Sequence, residues 1–253
     1  MFLALLKSFV RRDIKDRVAG SLLGPTLFFI QPVLQILTFV FIFKLIFKVR
    51  IKFLGGHEDF LRFFLAGYVP WSFHAEALAR GGASVVQNAH LVTKVKFPVE
   101  VLPVSVVLSA YLVGLLGVPL LLAALAFTGG VSYKAIWLPL LIPPAFMVSL
   151  SVVLVISALA VYFRDFLQMI PVVLPLWFYA TPILYSREML PHPLEMICAA
   201  NPFTPVVEAW QKLLLAGEIP VWETLLAYGE GVLLLIPAYL FFKKLRTGFT
   251  DVL

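Results

Sequence analysis

Long apolar runs alternate with short polar interruptions along this chain, and the spacing of the interruptions predicts its architecture. A helix needs about 20 apolar residues to cross a hydrocarbon core of about 30 Å. Six runs approach or exceed that length, at roughly 23–47, 60–78, 101–127, 135–161, 169–184 and 222–242, the fifth being the shortest. Pro32 predicts a kink in the first. Residues 188–216 break the pattern, because Pro191, Pro193, Pro202 and Pro205 cut them and they hold Glu195, Asn201, Glu208 and Lys212. Two short helices that dip in and return fit this segment better than a straight span. Non-helical backbone at membrane depth is tolerated only against protein or a water-filled cavity.

The first 20 residues follow another period. Phe2, Leu6, Val10, Ile14 and Val18 recur at i, i+4 as an apolar stripe, and Lys7, Arg11 and Lys15 form a basic one. Asp13 and Arg17 have the spacing of an ion pair. The charges follow the apolar residues, so this is no signal peptide; it predicts a helix lying in the membrane interface, basic face to the headgroups. Gly20, Gly24 and Pro25 then turn the chain into the bilayer.

A second amphipathic piece is "NAHLVTKVKFPVEVLP", residues 88–103. On a helix Leu91, Val92 and Val95 share one arc, while Lys94 and Lys96 stand about 200° apart. Phe97–Pro98 predicts the end of that helix, since a residue before proline avoids the α region. Arg164 and Asp165 predict a loop pair that orients the fourth and fifth spans.

Composition settles the class. Hydrophobic residues make up 61% and charged ones 13%, against roughly 45–50% and about 25% in soluble domains. The net charge of +6 raises nucleic-acid binding, but the basic residues cluster at the ends of apolar runs, the pattern of positive-inside anchoring, and nucleic acid is excluded. Cytoplasmic termini place 12 of the 20 Lys and Arg residues inside. Lys48, Arg50 and Lys52 run against that rule, either by snorkelling to outer headgroups or as a basic rim for an anionic exported molecule. An even number of spans returns "KKLR" to the inside and makes 188–216 re-entrant.

Candidate chemistry adds little. Cys198 is alone and is expected to be a small buried hydrophobe. The four histidines have no ligand spacing, so no metal site is expected. There is no G-x-x-x-x-G-K-[ST] loop for ATP, and the central parts of spans three to six are expected to lack the mid-membrane carboxylates or histidines that a proton-coupled carrier uses, with Glu76 near the inner end of the second. No nucleophile stands beside a base. The chain is expected to be a passive path whose energy comes from elsewhere.

Several motifs, in order, carry a resemblance: "RRDIKDRVAGSLLGP", "FLAGYVPWSF", "NAHLVTKVKFPVEVLP", "VYFRDFLQMIPVVLPLWFYATPILYS" and "NPFTPVV". Over almost its whole length the chain resembles the permease subunits of ABC-type polysaccharide exporters. These are type-2 ABC permeases that move O-antigen, capsule or teichoic-acid chains. The resemblance implies a homodimer paired with two separate ATP-binding subunits. Its cargo would be a glycan on undecaprenyl pyrophosphate, its location the bacterial cytoplasmic membrane. ATP and Mg would then sit on the partner, with no cofactor on this chain.

The resemblance also implies roles. Residues 86–98 resemble a cytoplasmic coupling helix, with Asn88, Leu91, Val92, Lys94, Val95, Phe97 and Pro98 meeting the ATP-binding subunit. Arg11, Arg12, Lys15 and Arg17 would gate the lipid pyrophosphate through charge-assisted bonds, or simply attract anionic lipid at about 1 kcal/mol per residue. Tyr68, Trp71, Phe73, Trp177, Tyr179 and Tyr185 would line a channel along which sugar rings slide, although aromatic belts at membrane interfaces are the ordinary explanation. Trp177, Phe178 and Tyr179 are consecutive and cannot share a helix face. Asn201 and Pro202 would gate the outer mouth.

The expectation is therefore an all-α polytopic membrane protein, one transmembrane domain over 1–253. It has an interfacial helix at 1–20, six transmembrane helices, and re-entrant helices at 188–216 between spans five and six. The alternatives are a lipid or drug permease of the same machinery, an ion-coupled secondary transporter, and a membrane-embedded glycan-modifying enzyme.

Overall fold

Lipid offers backbone amides no water, so long apolar runs have to satisfy their own hydrogen bonds as helices. The computed structural model describes residues 2–17, 19, 24–42, 50–53 and 56–253 and follows that rule almost throughout. Helix α1 (Phe2–Asp16) is the expected amphipathic segment, and α2 (Leu27–Phe39) opens the first apolar run. Pro32 lies inside α2 without ending it. Residues 43–49 of that run, including Lys44 and Lys48, lie outside the described residues.

A short antiparallel hairpin follows, β1 (Arg50–Phe53) on β2 (Gly56–Asp59), the only β structure among the described residues. It leads directly into α3 (Phe60–Gly81), whose first turn is capped by Asp59 accepting from the Leu61 amide at 2.9 Å. Two short helices, α4 (Ser84–Gln87) and α5 (Ala89–Lys94), connect α3 to α6 (Val101–Gly114) and α7 (Gly117–Thr128). Then come α8 (Leu138–Tyr162), α9 (Asp165–Tyr179), α10 (His192–Ala200), α11 (Thr204–Gln211), α12 (Val221–Leu245) and α13 (Phe249–Val252).

Among the described residues, three stretches are long and apolar enough to cross a membrane: Val101–Thr128, Tyr133–Tyr162 and Val221–Val252. The 25 residues of α12 alone extend about 37 Å. Helix α9, with 15 residues, extends only about 22 Å, short of the hydrocarbon thickness. Helix α3 has 22 residues but carries Arg62, His74, Glu76 and Arg80.

Packing centres on α3, which contacts α6, α8 and α11, while α8 and α12 lie against each other. Membrane helices gain little from hydrophobicity and associate through close packing at small residues. A Cβ at Gly114 would stand 2.3 Å from the Phe73 ring, and one at Gly81 2.6 Å from Val153. Glycine at these two places is what brings α3 against α6 and α8. The run expected as one helix at 101–127 breaks at Leu115–Leu116, beside Gly114.

Candidate functional site

The basic interfacial helix divides its cations. Arg17, just past its end, turns inward: Nε lies 3.4 Å from Asp13 Oδ2, and Nη1 lies 3.1 Å from Glu76 Oε1. Arg80 of α3 reaches the other Asp13 oxygen at 2.6 Å, and Ser109 Oγ of α6 donates to Asp13 as well. Burial, and next the nearby Arg80, hold Arg17 below its ordinary pKa, but a guanidinium keeps its charge there. Arg12 instead donates to Asn88 Oδ1 at 2.7 Å and lies 4.7 Å over the Phe9 ring. Arg11 and Lys15 stay exposed. The four residues expected to act as one headgroup gate are thus separated; the i, i+4 pair of Asp13 and Arg17 is present as expected.

The piece at 88–98 is shorter as a helix than expected. It stops at Lys94, and Val95 is already extended (φ −125°, ψ 131°). Leu91, Val92 and Val95 do not make one outward face: Val92 is 6% exposed in the core and Val95 51% exposed. The amide of Val95 still bonds to Leu91 O at 3.0 Å, but a β-branched residue next to a run ending in Phe97–Pro98 favours the extended state. The outward residues are His90, Thr93, Lys94, Val95 and Lys96. Phe97 turns back and stacks on Phe9 at 6.1 Å, so Asn88 and Phe97 both tie this piece to α1. Behind it, α13 packs on α5, and Arg246 pairs with Glu100. Arg164 and Asp165 are both exposed and form no pair with each other among the described residues; Asp165 instead occupies the first turn of α9, where a carboxylate suits the helix dipole.

Two cavities share Tyr68. The first, about 380 Å³, lies between α2, α3 and the α6–α7 junction, with Arg17, Gln35, Tyr68, Ser72 and Glu76 as its polar lining. The second, about 510 Å³, is an aromatic groove between α2, α3 and α9 that includes Phe39, Phe64, Tyr68, Trp71, Phe178 and Tyr179. Gln35 Nε2 donates to Tyr68 Oη. Packing takes most of two candidate lining residues: Trp71 is 4% and Phe73 2% exposed, the latter wedged between Tyr111 and Trp210. Tyr179, at 62%, stands open. Tyr185 donates to Tyr179 O at 2.8 Å, and burial, with the nearby Cys198, pushes its phenol up to about 12, so it remains a donor.

Trp177 does not line the groove; its Nε1 donates to Asn201 Oδ1 at 2.8 Å. Asn201 also accepts from the Phe203 amide at 3.0 Å and donates to Thr181 Oγ1 at 2.8 Å and Ala180 O at 3.3 Å. This bolts the end of α9 to the turn between α10 and α11. Beyond it lies a polar cavity of about 320 Å³ bordered by Arg187, Glu195, Glu208, Lys212 and Glu223. Arg187 pairs there with Glu195 at 3.2 Å, and Lys212 with Glu223 at 2.5 Å.

Residues 4–215 match the family model described as ABC-2 type transporter. The chain belongs to the ABC-2 type transporter family. It is similar to the O-antigen export system permease protein RfbA of Klebsiella pneumoniae, 28% identical over 252 residues that cover 98% of this chain and 95% of that one. To the protein of the same name from Myxococcus xanthus it is 29% identical over 251 residues, 98% of this chain and 94% of that one. With its apolar helices, this ABC-2 chain is an integral membrane protein and a permease subunit rather than an enzyme.

Sequence reasoning missed three parts of this ABC-2 permease. His74 is fully buried, its Nδ1 2.8 Å from Ser149 Oγ and its ring stacked on Phe203 at 4.2 Å, where it joins α3, α8 and the turn after α10. Glu76 and Arg80 were legible as an i, i+4 pair, but their reach to α1 was not. Glu230, in the middle of α12, corrects the expectation that the central part of the sixth span lacks a carboxylate. Among the described residues no group of His, Cys, Asp or Glu is placed to hold a metal ion.

Proposed function

We propose that this chain is the membrane-crossing subunit of an ATP-driven exporter that moves a lipid-linked polysaccharide across the bacterial cytoplasmic membrane. The observation that carries the reading is the pair of cavities sharing Tyr68. A cavity with Arg17 and Glu76 at one end meets an aromatic groove along α2, α3 and α9. Arg17 at that end can pair with a pyrophosphate headgroup on undecaprenol once it is released from Asp13 and Glu76. Aromatic faces let sugar rings slide without tight binding to any one unit. The names of the similar proteins, O-antigen export permeases, support the same cargo class.

In this reading α2, α3 and α9 complete six spans, the helices at 188–216 dip in from the outside, and both termini are cytoplasmic. Two copies pair with two ATP-binding subunits, which carry ATP and Mg. The outward face of α5 and the extended segment after it, including Lys94 and Val95, receives the stroke. Arg12–Asn88 and Phe9–Phe97 pass it to α1.

The test is a pull-down of the tagged chain from its native membrane, with ATPase assayed on what accompanies it. Wild type is compared with Lys94→Glu/Val95→Asp, both exposed positions whose change spares the fold. Wild type is expected to bring a nucleotide-binding protein and ATPase activity, and the variant to lose at least tenfold of both. Purification alone, with no ATP hydrolysis and export that follows an ion gradient, overturns the reading.

A further inference from the structure

Helix α1 carries a second set of cations that the network above leaves unused. Lys7, Arg11 and Lys15 recur at i, i+4 and i+8, drifting only about 80° around the helix. All three are exposed, and none forms an ion pair or hydrogen bond among the described residues, whereas Arg12 and Arg17 of the same segment both do. They border a groove of about 480 Å³ floored by Leu3, Leu6, Val10 and Ile14 of α1 and Leu108 and Leu112 of α6. Apart from the three cations, every side chain lining it is aliphatic.

That combination selects its ligand. A glycan would find no hydroxyl or amide partner on the floor, and a free phosphate would leave the floor exposed. A molecule with one fatty chain and one phosphate matches both parts. Its methylenes cover the aliphatic floor, and its phosphodiester meets ammonium and guanidinium groups in charge-assisted bonds. Lys7 and Lys15 are about 12 Å apart along the axis, with Arg11 between them, so the headgroup is reached from either side.

We propose that this groove is a binding site for an anionic phospholipid of the surrounding bilayer, held by Lys7, Arg11 and Lys15 with an acyl chain between α1 and α6. The proposal rests on α1 lying in the membrane interface, and it is independent of the cargo. The cations that turn toward the Tyr68 cavity and the α5 piece, Arg17 and Arg12, are a separate set, so cargo headgroup and bilayer lipid need not compete.

The full chain, purified with its co-purifying partner and free of polyprenyl lipid, is titrated with phosphatidylglycerol or phosphatidylcholine and followed by native mass spectrometry. Phosphatidylglycerol is expected to be retained selectively. Lys7→Gln/Arg11→Gln/Lys15→Gln should weaken retention by about fivefold per cation removed, roughly a hundredfold in all. Leu108→Trp fills the groove without changing charge and should also lose the lipid, while Lys243→Gln/Lys244→Gln should keep it. Equal losses in the lysine control mean diffuse surface attraction and overturn the site. Retention by Leu108→Trp overturns the groove as its seat. Cross-linking of Leu112→Cys between copies means a second protomer covers the groove and likewise overturns it. The pull-down of a nucleotide-binding protein answers a different question, so the two readings fail separately.

Discussion

Asn201 spends its whole side chain on two elements. Its oxygen takes Trp177 Nε1 and the Phe203 amide, and its nitrogen gives to Thr181 and Ala180, all within a site where the residue is 8% exposed. Alanine there orphans a part-buried indole N–H and a buried amide, the latter at about 1–3 kcal/mol. Asn201→Ala should lower the thermal unfolding midpoint in detergent by roughly 5–10 °C, whereas Pro202→Ala next to it should shift it little. An unchanged midpoint in Asn201→Ala would mean the turn is held by other contacts. The "NPFTP" motif marked this residue as important in the sequence. It did not say that the partners would come from α9, because Trp177 and Asn201 are 24 positions apart.

At the scale of elements, the best-read parts were those with one strong local signal. Helix α12 and the run ending in α8 follow their apolar lengths, and α1 follows its i, i+4 stripe. Two boundaries were lost where a tertiary contact decides. The 101–127 run is apolar all round, so nothing in its period announces the interruption at Leu115–Leu116, beside the Gly114 that admits the Phe73 ring. The arc of Leu91, Val92 and Val95 presumed one continuous helix, and packing took Val92 inward. The docking of α1 is also tertiary, set by Asp13. Its side chain is 16% exposed and serves Arg17, Arg80 and Ser109 together. Asp13→Asn leaves two half-buried guanidinium groups with Glu76 as their only carboxylate among the described residues. Breaking a buried pair costs about 3–5 kcal/mol, and Glu76 keeps the cost here near the lower end. The expected result is faster tryptic cleavage after Arg11, Arg12 and Lys15, by at least tenfold. Cleavage at the wild-type rate would show that α1 is held by its apolar stripe alone.

For the molecule as a whole, the proposed pairing of two copies turns on which surface one presents to the other. Helix α9 presents Met169, Val172, Val173, Leu176 and Tyr179 outward, at 40–65% exposure. Lipid accepts an apolar face on any spanning helix, but α9, at about 22 Å, is too short to cross a bilayer of about 30 Å unaided. Its ends therefore need protein around them. The turn at Asn201 supplies it at one end. Leu34 and Leu37 of α2, and Phe41 just past its end, are 56–58% exposed on the face opposite Phe39, the α2 residue that borders the groove with Tyr68 and Tyr179. A second protomer set against α9 would close that groove into a conduit and cover the outward face of α9. A cysteine at Leu176 should then cross-link between copies in native membranes, and one at Leu233, the 72% exposed position on α12, should not. In the same preparation Tyr179→Ala should leave thermal stability and ATP hydrolysis intact while slowing the appearance of polysaccharide outside the cell. Linking through Leu233 instead would move the dimer axis to α12. The aromatic groove would then face lipid, and its rings would be a membrane belt rather than a path.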